Sequence, residues 1–256
     1  MAWTCTGSSN AELISNMWRE KLICSERVRD AMLAVDRAHY TPPQSSHLAY
    51  EDSPQVIGYG ATISAPHMHA SAAEYLLPYL GPGKRVLDIG SGSGYLTAVL
   101  GELCFGSATG SASGVKGKGK VVGLEHIREL QEMGETNMRR SETGRRWLEE
   151  GLVRFVVGDG RKGLVEEGTR GQGVGAEEND NGWDAIHVGA AAAEIHQPLI
   201  DQLRRPGRIF IPVEAPNGGQ HIWVVDKDVE GKITKEKLYG VRYVPLTDAP
   251  PASSGR

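Results

Sequence analysis

Apolar residues recur along this chain in two periods. Short, nearly continuous runs at Val86–Ile89, Val121–Leu124, Val153–Val157, Ala185–Val188 and Ile209–Val213 read as buried parallel strands. Between them, helical spacing places Tyr95, Leu96, Val99 and Leu100 on one stripe, and Ile127, Leu130 and Met133 on another. Two helices precede the first strand, on the stripes Leu13-Ile14-Met17 and Val28-Ala31-Met32-Val35, with Ser9 or Asn10 and then Ser25 as caps. A further helix is predicted from Ser64, read as its cap, and Pro66 to Tyr79, stopping at Gly81-Pro82-Gly83. Leu199–Leu203 reads as a short helix, and His221–Val225 and Val241–Val244 alternate as antiparallel strands do. Strands alternating with helices predict an α/β fold with a mainly parallel sheet, antiparallel C-terminal strands and extra N-terminal helices.

The stretches between these elements differ in kind. Residues 44–66 are polar, aromatic and glycine-punctuated, and read as a loop leading into the helix after Ser64. Residues 106–120 and 166–182 are rich in glycine and polar residues and read as flexible insertions, and 249–256 as a disordered tail. The 256 residues, 39% hydrophobic and 23% charged, suffice for one α/β domain with a full core or two small ones. A net charge of −4 makes no electrostatic case for nucleic acid or an anionic membrane. No apolar run is long enough to span a bilayer, and the first residues do not read as a secretory signal. Cys5, Cys24 and Cys104 are widely spaced, which suggests neither a disulfide framework nor a metal site and fits a reducing compartment such as the cytosol.

The chemistry concentrates where the first strand ends. Val86–Leu100 reads as strand, glycine turn and helix, with Gly90, Gly92 and Gly94 at alternate positions and Asp88 just ahead. Glycine lets the backbone turn sharply and approach a ligand, and the helix start offers free N–H groups. A carboxylate at that strand end disfavours a pyrophosphate and favours a cationic ligand. The spacing is also not the dinucleotide pattern G-x-G-x-x-G. The alternative is a turn serving only packing. The segment resembles the cofactor loop of S-adenosylmethionine-dependent methyltransferases, whose ligand carries a sulfonium and no phosphate. This implies a Rossmann-like, doubly wound sheet. Glu125, ending the next strand, can accept both ribose hydroxyls, or else cap the helix that follows. His187 lies inside an apolar strand and reads as a hydrogen-bonded interior histidine. His67 and His69 lack partners at metal-ligand spacing, so no metal is expected.

Longer motifs narrow the reading. Asp52-Ser53-Pro54-Gln55, followed by Ala61-Thr62-Ile63-Ser64-Ala65-Pro66-His67-Met68-His69, resembles the protein-L-isoaspartate O-methyltransferase family. Met32–Tyr40, Val156–Arg161, Trp183–Ala191, Leu199–Leu203 and Tyr243–Asp248 agree in order. The resemblance implies one methyltransferase domain over 1–256. Its substrate segment would lie within 1–80 and its cofactor core within 84–248. It implies S-adenosyl-L-methionine as cofactor. Ala61, Thr62, Ile63 and His69 would line the cofactor side, with Asp88, Gly90 and Ser93 at the turn. Glu125 would hold the ribose, His126, Asp159 and Gly160 the adenine, and Thr247 would close the site. It further implies isoaspartyl-containing proteins and peptides as partners, and a monomer is expected. A carboxylate is already ionised at neutral pH, so alkylation needs alignment rather than a general base. Ser64 is the candidate to orient it. Alternatives are a small-molecule methyltransferase on the same core and a non-catalytic isoaspartyl-binding protein. The proline-rich tail stands where related enzymes commonly carry a charged segment, which removes support for a binding role there.

Overall fold

The computed structural model describes residues 5–106, 119–166, 182–216 and 218–246. The expected insertions, the tail and Thr247 therefore fall largely or wholly outside the described residues. α1 (Asn10–Arg19) is capped by Ser9, whose side chain accepts from the Glu12 N–H. The Asn10 side chain instead reaches the carbonyl of Met32, at 3.0 Å, and so ties α1 to the end of α2 (Glu26–Ala34). Ser25 does not cap α2 with its side chain. Its hydroxyl donates to Glu74 of α3 (Pro66–Leu76), and that carboxylate also takes the Cys24 and Ser25 N–H groups. A carboxylate distant in sequence thus fixes the approach to α2 without capping its first turn.

The stretch read as a loop contains a hairpin. β1 (Gln55–Gly58) pairs antiparallel with β2 (Ala61–Ile63) around Tyr59 and Gly60, both at positive φ. The main sheet comprises β3 (Arg85–Ile89), β4 (Lys120–Glu125), β5 (Val153–Val157), β6 (Trp183–Val188), β7 (Leu203–Glu214), β8 (Gln220–Lys227) and β9 (Ile233–Val241). Its order is β5-β4-β3-β6-β7-β8-β9, parallel from β5 to β7 and antiparallel beyond. The last strand therefore precedes the expected Val241–Val244. It is an edge strand, largely exposed and carrying Lys235, Glu236 and Lys237, so its polar surface hides its pairing. α4 (Tyr95–Phe105), α5 (Arg128–Met138), α6 (Glu142–Glu149) and α7 (Gln197–Asp201) complete the layers. Along β3 and β6, Val86 and Ala185 join an apolar cluster with α1 to α4. Leu87, Ile89, Ile186 and Val188 join a second cluster with Leu199 and Ile200 of α7. Alternate side chains thus fill the two faces of one sheet. At the strand starts, the buried end of Glu166 bridges Arg85, Lys120 and Arg154.

Candidate active site

From β3 the chain crosses one way to β4, while β6 lies on the other side. A crevice forms at such a switch point, outside the carboxyl ends of the strands. The glycine turn sits there, with Gly90, Gly92 and Gly94 all at positive φ. A Cβ on Gly94 would come within 3.0 Å of the Gly134 backbone and of Phe155. Asp88 is buried below the turn. Its Oδ2 accepts from the Thr97 hydroxyl at 2.5 Å and its Oδ1 lies 2.7 Å from His187 Nδ1. His187 is thus the hydrogen-bonded interior histidine the sequence suggested. Both Asp88 oxygens thus brace the frame of the turn, and Asp88 also lines the crevice beside it.

Two adjoining cavities open at this end of the sheet. The narrower is walled by Ile63, His69, Asp88, Gly90, Ser93 and Tyr95, among others. The larger, of about 450 Å³, is walled by Pro54, His67, Met68, Arg242, Tyr243 and their neighbours. Thr62, Ser64 and Gly189 belong to both walls. Ser64 and Tyr243 stand in the same wall of the larger cavity, and burial drives the Tyr243 hydroxyl pKa far above its ordinary value while Ser64 opposes the rise. Ser64 is not the cap of α3. Ala65 occupies that position, and Asp52, reaching across from the loop before β1, accepts the His67 N–H at 3.0 Å and lies 2.8 Å from His67 Nδ1. The Ser64 hydroxyl is therefore released from the structural duty assigned to it.

The remaining predicted residues sit around the same strand ends. Glu125 Oε1 accepts the His126 and Ile127 N–H groups, and Oε2 accepts the Gly92 N–H at 3.0 Å. Those two N–H groups precede α5, so the side chain braces the approach to that helix rather than capping its first turn, and it also closes the glycine turn. Asp159 adopts the turn-stabilising arrangement, taking the Arg161 N–H and both arms of its guanidinium. These bonds hold its pKa below the ordinary carboxylate range. Gly160 packs so tightly that a Cβ would meet Ile89 Cγ2 at 2.3 Å. The Gly158 N–H donates to the Glu125 carbonyl, which sets this loop beside β4. Ser93 is buried, its carbonyl accepting from Asn137 Nδ2 at 3.1 Å. Ala61 is half-buried on the hairpin. Among the described residues, no group of three or more His, Cys, Asp or Glu side chains could hold a metal.

The family model of protein-L-isoaspartate (D-aspartate) O-methyltransferases matches residues 8–250. The chain belongs to that family. It is 42% identical to the Caenorhabditis elegans protein-L-isoaspartate O-methyltransferase over 96% of each sequence. It is also 42% identical to an Arabidopsis thaliana enzyme of that name, covering 94% of this chain and 92% of that one. A solved Plasmodium falciparum protein-L-isoaspartate O-methyltransferase, in complex with S-adenosyl-L-homocysteine, superposes with a TM-score of 0.77 at 30% identity. That match covers 94% of this chain and 99% of the other. In this family member the structure brings to the crevice several side chains that the hydrophobic pattern did not single out. Ser91 Oγ and Tyr95 Oη are buried in the wall of the narrower cavity without a hydrogen-bond partner among the described residues. Arg37 is fully buried behind His69. Tyr95 reads as one more position on an apolar helix stripe, so its hydroxyl could be found only once its surroundings were known.

Proposed function

We propose that this chain repairs damaged proteins by methylating the free carboxylate of L-isoaspartyl residues, in proteins and in peptides, with S-adenosyl-L-methionine as methyl donor. The observation that carries this reading is the position of Ser64 in the shared wall of the two cavities, one at the glycine turn and one toward β9. The residues at the turn suit the cofactor. The glycines hold the positive φ that the turn requires, and two orphaned hydroxyls offer hydrogen bonds to a polar ligand. Glu125, His126, Asp159 and Gly160 form the proposed ribose and adenine end. Ala61, Thr62, Ile63, His69, Asp88, Gly90 and Ser93 form the proposed amino-acid and sulfonium end. When bound, the cofactor supplies a methyl group on positively charged sulfur, an electrophile that an ionised carboxylate attacks directly.

The protein's part is geometric. The Ser64 hydroxyl donates to the attacking carboxylate without neutralising it, with the Tyr243 side chain beside it in the wall of the larger cavity. The described 450 Å³ groove admits a peptide side chain rather than a whole folded domain. The same reading has the chain acting as one domain and as a monomer in the cytosol, without nucleic acid or membrane partners. A net charge of −4 makes no electrostatic case for nucleic acid, and among the described residues no helix is long and apolar enough to cross a membrane. Labelled methyl transfer to an isoaspartyl peptide, and none to its aspartyl twin, is the expected result. Equal labelling of both peptides, or of neither, would overturn the assignment.

A further inference from the structure

Arg37 lies on the 3-10 turn Arg37–Tyr40, after α2, and has no exposed surface. Burying a guanidinium is costly unless its donors and charge are satisfied. Its contacts here are uncharged. Nη2 donates to the Ser64 carbonyl at 2.8 Å, Nη1 lies 3.4 Å from His69 Nδ1, and the guanidinium stands 5.2 Å over the Tyr95 ring. Nε has no partner among the described residues. Burial lowers the Arg37 pKa to about 10, with Tyr95 and Asp52 opposing the fall, so it stays charged at neutral pH. One side chain from outside the cofactor core thus touches the Ser64 backbone, α3 and α4 at once.

The His69 contact has a chemical consequence. A guanidinium only donates hydrogen bonds, so His69 Nδ1 must accept. The ring is then neutral with its proton on Nε2. His69 is itself buried, and its ring walls the cavity that holds Asp88 and Gly90. The groups facing it are Arg37, Tyr95, His187 and His67, with Asp88 and Asp52 behind the two histidines. Burial first, then Arg37, His187 and His67, push its pKa well below 6.5. We infer that Arg37 is a positioning residue, which locks His69 as the neutral Nε2–H tautomer and so gives the cofactor cavity a fixed hydrogen-bond donor while holding the Ser64 backbone in register. This rests on the assignment of that cavity to the cofactor, and not on the identity of the methyl acceptor.

Nitrogen-15 imidazole spectra of the ligand-free protein test the tautomer directly. From about pH 5.5 to about 8.5, wild-type His69 should show the neutral Nε2–H pattern without titrating. Arg37→Lys keeps a charged donor and should preserve it. Arg37→Met keeps the apolar stem and removes the donor. It should yield mixed tautomers and a titration inside that range. Calorimetry with S-adenosyl-L-homocysteine should then show affinity about tenfold weaker at neutral pH in Arg37→Met. That variant's affinity should recover on acidification, because a protonated ring regains the Nε2 donor, whereas the wild-type affinity stays flat. A wild-type His69 that carries its proton on Nδ1, or that titrates near 6.5, overturns the inference even if Arg37→Met fails to fold. An Arg37→Met variant with wild-type spectra and binding overturns it as well. Neither measurement uses a methyl acceptor, so failure of the isoaspartyl assignment would be seen separately.

Discussion

His187 on β6 and Asp88 on β3 meet at 2.7 Å, and Thr97 of α4 closes the other carboxylate oxygen. Each lies just below the point where its strand breaks into a glycine, Gly90 and Gly189, and those two glycines stand against each other. The pair therefore sets the spacing of the two turns that frame the crevice. Asp88→Ala would leave the Thr97 hydroxyl and the His187 ring unpaired in a buried site, at about 3 kcal/mol. A lower urea midpoint and weakened S-adenosyl-L-homocysteine binding are expected, with Asp88→Asn, which keeps one acceptor, falling between.

Ser64→Ala should separate catalysis from folding. Because the hydroxyl caps no helix, the thermal midpoint should stay within about 2 °C of wild type. Loss of a donor to a charged oxygen should lower kcat/KM for an isoaspartyl peptide at least about tenfold. Tyr243→Phe removes a hydroxyl from the cavity wall it shares with Ser64 and should show a smaller loss in kcat/KM. Equal activity of Ser64→Ala and wild type would remove Ser64 from the reaction.

Gly94→Ala should damage cofactor binding and stability together. The position has φ 85°, and the added methyl would press on Gly134 and Phe155. The backbone strain alone is about 1–2 kcal/mol. Chemical denaturation and S-adenosyl-L-homocysteine calorimetry would both register the change. Gly83→Ala, also at positive φ but with open space around its Cβ, should affect only stability.

Much of this architecture is visible in the amino-acid pattern, and the gaps have physical causes. β3, β4 and β6 are apolar runs covered on both faces and read clearly, and β5, an edge strand with Arg154 exposed, reads from its remaining apolar residues. β1 and β2 are too short for their alternation to stand out from a polar loop. β9 is an edge whose exposed charges obscure its pairing. The glycine turn and Ser64 were legible because their chemistry is local. The cap of α3 was not, since Asp52 supplies it through a tertiary contact. Arg37 is the extreme case, because a charged side chain gives no sequence signal that it will be buried.

The sheet's other end has its own acid sensitivity. Burial pushes the Glu166 pKa up, but hydrogen bonds from Lys120 and Arg85, with the charge of Arg154, bring it below 4.5 overall. A carboxylate depressed on folding adds stability above its unfolded value, and that share is lost as pH falls through the folded value. Unfolding midpoints should therefore drop below about pH 4.5, and Glu166→Gln should flatten that part of the profile. The variant should also be less stable at neutral pH, where the ion pairs of Glu166 with Arg85 and Lys120 are lost.

The Glu166 cluster marks where chain segments 107–118 and 167–181 attach, between Gly106 and Gly119 and between Glu166 and Gly182. Parallel strands carry their beginnings and their ends on opposite rims of a sheet, so these joints are as far from Gly90 as the fold permits. The joint residues Gly106, Gly119, Glu166 and Gly182 belong to neither cavity wall, so a change at them touches no lining residue of the crevice. That rim is the natural port for a fluorophore or a surface tether that leaves the working side of the enzyme facing free peptide.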